Sequence, residues 1–222
     1  MNHFSRTLKR LLIYVLGLFF LSLGVSLSII AGFGVSPVSS LACAGALTIG
    51  ISVGTTTVMA NVLYIIVQLI LTRRRQLNEF AGQFIISFLF GFFMDATLLL
   101  VQLFPTPETI FMRSVYLIIS LFIVAIGLLG YTTAKLPLMP YDALTYAISE
   151  KFNVKFGKAK ISSDLINVGV AGAICLFFLG SLGSIGIGTL IAAYFIGKIL
   201  GWMIPHYQQH LKQWAFETRK AA

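Results

Sequence analysis

Six stretches of this chain each stay apolar for about the twenty residues that a helix needs to cross a hydrocarbon core. They run from Leu11 to Ala31, Val53 to Leu71, Phe80 to Phe104, Ser114 to Ala134, Ile161 to Gly180 and Ile185 to Met203. Six such segments leave no room for a separate soluble domain among 222 residues. Composition agrees: the chain is 58% hydrophobic and 10% charged, against about 25% charged in ordinary soluble domains, so its solvent is lipid. The expected fold class is all-α integral membrane, with a short N-terminal segment over 1–10 and a cytoplasmic amphipathic tail over 205–222.

The net charge of +9 does not point to nucleic acid, because basic residues on such a chain first report topology. With a cytoplasmic N-terminus, Arg6, Lys9, Arg10, Arg73-Arg74-Arg75, Lys135, Lys151, Lys155, Lys158, Lys160, Lys212, Arg219 and Lys220 all fall inside, while Arg113 alone falls outside and Lys198 lies within a span. Arg6 to Arg10 followed by an apolar run imitates a signal peptide, but the run exceeds the 7 to 15 residues typical of a cleavable core, so it reads as the first helix. Cys43 and Cys175 stand alone in different apolar segments and read as small buried hydrophobes.

The chain also repeats itself. A gapless shift of 103 residues sets Gly24 on Gly127, Ala31 on Ala134, Pro37 on Pro140, Leu41 on Leu144, Gly54 on Gly157 and Asn61 on Asp164. A slightly longer shift then sets Gly82 on Gly188, Ile85 on Ile191 and Gly91 on Gly197. The expected units are 11–104 and 114–204. Each carries three crossings, an odd number, so the second enters the membrane from the opposite face, as in the inverted repeats of many secondary transporters.

Between the first and second span of each unit lies a Gly/Pro-broken stretch with a short helix. The first is Val35 to Ser52 and the second Leu138 to Lys155, whose Asp142, Glu150, Lys151 and Lys155 bar it from facing lipid. Both read as half-helices, re-entrant or interfacial. Gly34 allows the turn, Ser36 is placed to cap and Pro37 to open the first; Pro140 opens the second, with Asp142 in its first turn where a carboxylate favours the helix dipole.

No catalytic signature is present, so the chain does not read as an enzyme, and it shows no cofactor motif or metal-ligand set. What remains are polar groups inside apolar segments, each costing about 2.5 to 3.5 kcal/mol at a helix centre. Asp95, about 13 Å from the end of its span at 1.5 Å per residue, is placed near mid-membrane, as a proton- or cation-binding acid or as a link between helices. Lys198 either neutralises it or snorkels to the interface. Asp164, Asn61, Asp142 and Tyr141 complete the candidate substrate- or ion-binding set. Gly186-Ile187-Gly188-Thr189 fits a tight turn better than a phosphate cradle. His206 and His210 share a helix face, but no further ligand stands near, and an amphipathic tail with Trp214 and Phe216 on the bilayer fits better.

Ala31-Gly32-Phe33-Gly34-Val35-Ser36-Pro37, Pro140-Tyr141-Asp142-Ala143-Leu144 and Gly186-Ile187-Gly188-Thr189 resemble the YczE/YitT-like family of bacterial multi-pass membrane proteins. The resemblance implies a bacterial cell membrane and a duplicated helical fold, with no agreed activity. Where that family often continues its first Pro with Trp-Asp, this chain has Val38-Ser39, so only Asp142 supplies an acid at this place. The expected partners are the bilayer and a small molecule or ion carried as a transporter or facilitator; the alternative is a non-transporting membrane factor that binds a protein or lipid.

Overall fold

The structure, a computed structural model, describes residues 3–72 and 77–216. The basic run at 73–75 and the tail residues Arg219 and Lys220 lie outside the described residues. Every regular element among the described residues is helical: α1 (His3–Ala31), α2 (Pro37–Ile49), α3 (Val53–Thr72), α4 (Leu77–Val101), α5 (Ile110–Thr133), α6 (Pro140–Lys151), α7 (Phe156–Leu179), α8 (Ile187–Met203), a π-helical turn (Ile204–Gln208) and α9 (Gln209–Phe216). Six helices are long and apolar enough to cross a membrane, and they begin close to the expected spans. Several limits differ from the sequence reading, α5 starting at Ile110 rather than Ser114 and α7 at Phe156 rather than Ile161. α1 starts at His3, well before Leu11, and α4 stops at Val101, short of Phe104.

Local chemistry sets the ends of the short helices. Ser36 is extended and Pro37 opens α2, where its missing N–H leaves no orphan donor; Gly50, in the left-handed conformation, closes it by donating its N–H to the Ala46 carbonyl at 2.9 Å. Pro140 opens α6 in the same way after Met139. Thr109 caps α5, its hydroxyl accepting from the Met112 N–H. After α8, Pro205 cannot donate, and the helix relaxes there into its π turn. α9 continues the same helical run through the π turn and packs on the start of α1: Arg10 sits over the Phe216 ring, and Lys9 over the Trp214 ring.

Because lipid tails are as apolar as leucine, helices in a bilayer are held by close packing more than by the hydrophobic effect. α1 and α5 make the central crossing, with α4 beside α1 and α8 beside α5. Leu18, Leu21 and Val25 of α1, Phe90 and Met94 of α4, and Val124 and Tyr131 of α5 form the largest buried cluster. Glycine makes the crossing possible. A Cβ on Gly24 would meet Val124 and the Ser120 carbonyl, and one on Gly127 would meet Leu21 and the Gly17 carbonyl. These two sets of contacts exchange when every residue is shifted by the 103-residue register.

Around that crossing, α2 packs on α7 and α3, and α6 on α3 and α7. The partners are again exchanged by the register, since α2 corresponds to α6 and α3 to α7. One pair breaks the pattern. α3 packs on α4, where Gly54 abuts the Gly91 carbonyl, yet α7 and α8 are not packed along their lengths. Gly157 and Gly197, in the corresponding places, have no described atom within 4 Å of where a Cβ would stand.

Candidate functional site

Both short helices begin beside the midpoints of α3 and α7. Tyr64, midway along α3, donates to Asn167 Oδ1, midway along α7, at 2.7 Å; the two residues stand in the repeat register, so this bond joins equivalent positions. Asn167 Nδ2 donates onward to the Pro37 carbonyl at the start of α2, at 2.6 Å. Tyr64 lies edge-on to Tyr141 in the first turn of α6, with ring centroids 5.2 Å apart.

From Tyr141 a charged network continues. Its hydroxyl donates to Asp164, and the Tyr131 hydroxyl donates to Asp142. Lys160 lies 3.2 Å from Asp164 and 3.8 Å from Asp142, and sits over the face of the Tyr141 ring at 4.2 Å. Burial first, then the Asp164 carboxylate, push the Tyr141 phenol well above its ordinary range, so it remains a donor. Of the expected candidates, the fold brings together Asp142, Tyr141 and Asp164. Asn61, which the register sets on Asp164, is buried with no hydrogen-bond partner for its Nδ2 among the described residues; its neighbour in the register, Val38, has no hydroxyl to offer where the second half has Tyr141.

Asp95 and Lys198 stand elsewhere. Asp95 accepts from Ser52 Oγ and the Gly54 N–H, both at 2.7 Å, and so links α4 to the first turn of α3. Lys198 is exposed, with its ammonium 4.8 Å from the Tyr194 ring centroid, and forms no ion pair with Asp95. His206 turns its Nδ1 to the Trp202 carbonyl at 2.8 Å. Cys43 and Cys175 are both buried and free.

The two loops that precede the short helices differ sharply. Gly34, at φ +104°, is pressed against Gly186, a contact that leaves no room for a side chain. Around it the Gly188 N–H donates to the Phe33 carbonyl at 2.7 Å, and the Val35 N–H to the Ser184 carbonyl at 3.0 Å. The Gly186, Gly188 and Thr189 N–H groups at the start of α8 are thus used by the chain itself. At the opposite end of the bundle, where the basic residues cluster, the corresponding loop residues Leu136, Pro137 and Leu138 line a cavity of about 580 Å³. Its other walls are the end of α3 (Gln68, Thr72), the start of α4 (Glu79, Phe80, Gln83) and one face of α6 (Tyr146, Glu150).

Sequence reasoning missed Tyr64, Asn167, Tyr131, Lys160 and the cavity. For Tyr64 and Asn167 a signal existed in the sequence, because the two stand 103 residues apart, in the same register as the other matched positions. The cavity gave none, since its walls come from three helices and a loop far apart in the chain.

Among the described residues, six lipid-length apolar helices, two short helices and glycine-mediated crossings define an all-helical multi-pass membrane protein. Residues 8–205 match the family described as a family of unknown function, DUF6198, and the chain belongs to that family. It is 28% identical over 199 residues to the uncharacterized protein YyaS of Bacillus subtilis, covering 89% of this chain and 93% of that one. It is also similar to an uncharacterized protein of Haemophilus influenzae, at 22% identity over 198 residues, covering 88% of this chain and 84% of the relative. No solved structure matches it.

Proposed function

We propose that the protein is a small-solute transporter or facilitator of a bacterial cell membrane, built from two inverted repeats with both termini in the cytoplasm, and that it has no catalytic step. The positive-inside bias makes the basic end cytoplasmic. The similarity to proteins of Bacillus subtilis and Haemophilus influenzae supports the bacterial setting; the family match is to DUF6198 and not to the YczE/YitT-like family expected from the motifs.

One observation carries the reading. Equivalent loops are sealed at one end and stand open around a cavity at the other. Two inverted halves that hold different arrangements of the same contacts are what alternating access requires, because exchanging the arrangements moves the opening across the membrane. The sealed end is then the outer gate. The reciprocal contacts of α1 with α5, and the Tyr64–Asn167 bond between equivalent positions, support a pseudo-two-fold axis in the membrane plane. The Lys160, Asp142 and Asp164 network, next to the start of α6, supplies charge near that axis.

The rival, a non-transporting factor that binds a partner, draws on the unpacked α7 and α8, whose glycines leave room for another helix. Labelling separates the two. Ser36 is buried within the sealed end, while Ser181 is exposed beside it. Ser181→Cys should react at once with an impermeant thiol reagent added outside intact cells. Ser36→Cys should react slowly but measurably, well above the rate of global unfolding. Complete protection of Ser36→Cys would reject the outer opening and favour the partner-binding reading.

A further inference from the structure

The last helical run is longer than a bilayer needs. From Ile187 to Phe216 it continues over 30 residues, about 45 Å at 1.5 Å per residue, whereas a hydrocarbon core is about 30 Å thick. With Ile187 at the opposite boundary, roughly the last ten residues, 207–216, stand among the headgroups at the basic end. Exposed Trp202, Tyr207 and Trp214 mark that level, as such rings do where hydrocarbon meets water. α1 projects at the same end, with Lys9 and Arg10 just before the apolar run that begins at Leu11. Where the two projections meet lies a recess of about 310 Å³, lined by Lys135, Gln209, Lys212, Gln213 and Phe216, none of which lines the larger cavity.

Helical spacing builds one wall of this recess, since Gln209, Lys212, Gln213 and Phe216 recur at i, i+3, i+4 and i+7 on one face of α9. The other wall is the turn after α5, where Lys135 takes the left-handed conformation at φ +51°. Arg10 holds that turn, donating to the Ala134 carbonyl at 3.0 Å and to the Lys135 carbonyl at 2.7 Å. The Lys135 ammonium stands 5.6 Å from the Phe216 ring centroid, and the Arg10 guanidinium 5.2 Å from it. Among the described residues no carboxylate pairs with Lys9, Arg10, Lys135 or Lys212; the ion pairs are those of Lys160. The sequence after Phe216 holds two bases, Arg219 and Lys220, against one acid, Glu217, and so does not cancel this charge. Like charges gathered in this way repel one another, and an anion set between them removes the repulsion. Ammonium groups donate to phosphate oxygens, while the Gln209 and Gln213 amides both donate and accept, as hydroxyls require. We propose that this recess binds the headgroup of an anionic phospholipid, a phosphate diester bearing hydroxyls such as phosphatidylglycerol, with Lys135 and Lys212 on the phosphate and Gln209 and Gln213 on the hydroxyls. Depth favours a lipid over a free phosphate, because a lipid of the cytoplasmic leaflet already presents its phosphate at this level. The bound headgroup ties α9 to the turn that leads into α6, and its binding does not depend on the transport reading.

The full chain, freed of lipid in detergent, is titrated with phosphatidylglycerol or with phosphatidylcholine and read by native mass spectrometry. Phosphatidylglycerol should bind at least tenfold more tightly than phosphatidylcholine and raise the melting temperature. Lys135→Asn combined with Lys212→Gln should weaken phosphatidylglycerol tenfold or more; asparagine takes the left-handed conformation readily, so the turn is kept. Gln213→Glu, at an exposed position, sets an acid in the recess and should weaken it by a similar factor, and this variant decides alone if the lysine pair does not fold. Lys158→Gln, exposed on α7 at the same end, should leave the affinity unchanged. Equal affinity for the two lipids, full affinity in Gln213→Glu, or the same loss in Lys158→Gln as in the lysine pair would each overturn the proposal, the last by showing that surface charge alone attracts the lipid. Soluble glycerol phosphate forms the remaining arm. Its failure to displace phosphatidylglycerol at equal concentration is the expected result, and displacement would make a free phosphate the ligand and overturn the lipid.

Discussion

Asp95 shows how one residue can satisfy two readings. Its carboxylate takes the Gly54 N–H and the Ser52 hydroxyl, and so caps α3 from a neighbouring helix, meeting a backbone donor that the helix itself leaves unpaired. The sequence expectation of a binding acid used the same facts, an acid deep in an apolar span, but had no means of placing α3 opposite it. Asp95→Asn keeps one acceptor and should lower the melting temperature by the equivalent of about 1–2 kcal/mol, and Asp95→Leu, which leaves the Gly54 N–H unpaired, by more. Thermal unfolding in the same detergent checks both. If ligand-induced shifts of Asp95→Asn across pH 5 to 8 match those of the natural protein, the residue serves α3 alone and leaves the transport mechanism.

At the scale of elements, the informative contrast is between α3 with α4 and α7 with α8. Gly54 meets the Gly91 carbonyl and the Asp95 carboxylate, so a side chain there overlaps backbone that cannot yield. Gly157 corresponds to it and faces open space. Gly54→Val should therefore abolish folded protein in a fluorescence size-exclusion assay, a loss at or beyond the roughly 1–3 kcal/mol typical of overpacking. Gly157→Val should elute as the natural protein does, because a side chain there meets nothing and valine is no worse a helix former than glycine. If the halves exchange arrangements, Gly157→Val should also slow the outside labelling of Ser36→Cys, because closing α7 on α8 then meets the new side chain. Equal losses in the two valine variants would remove the asymmetry on which the outer and inner gates depend.

For the whole molecule, charge and topology have to agree. Lys135, Lys151, Lys155, Lys158 and Lys160 gather around the end of the bundle that holds the cavity, together with Arg6, Lys9 and Arg10. Thr106, Ser181 and Asn153 are exposed in turns at opposite ends. Thr106→Cys should be labelled by an impermeant reagent in intact cells, as Ser181→Cys is, while Asn153→Cys should react only after permeabilisation. Labelling of Asn153→Cys in intact cells would reverse the assigned sides and with them the direction in which the cavity opens.

Length, hydropathy and breakers made six crossings, two intervening short helices and their opening prolines legible, because lipid forces each backbone segment to satisfy itself locally and so leaves its mark within one stretch of chain. The candidate site was legible in half: Tyr141, Asp142 and Asp164 were recognised as polar groups out of place, and they do meet. Lys160, which holds the two acids, was assigned to a loop charge cluster, since its reach over the Tyr141 ring depends on where α6 lies against α7. The capping of α3 by Asp95, the meeting of Tyr64 with Asn167, and the sealing of one loop while its counterpart lines a cavity belong to the tertiary structure alone. Each depends on the distance between helices that are remote in the chain, and that distance is set by which small residues let two backbones touch and which leave them apart.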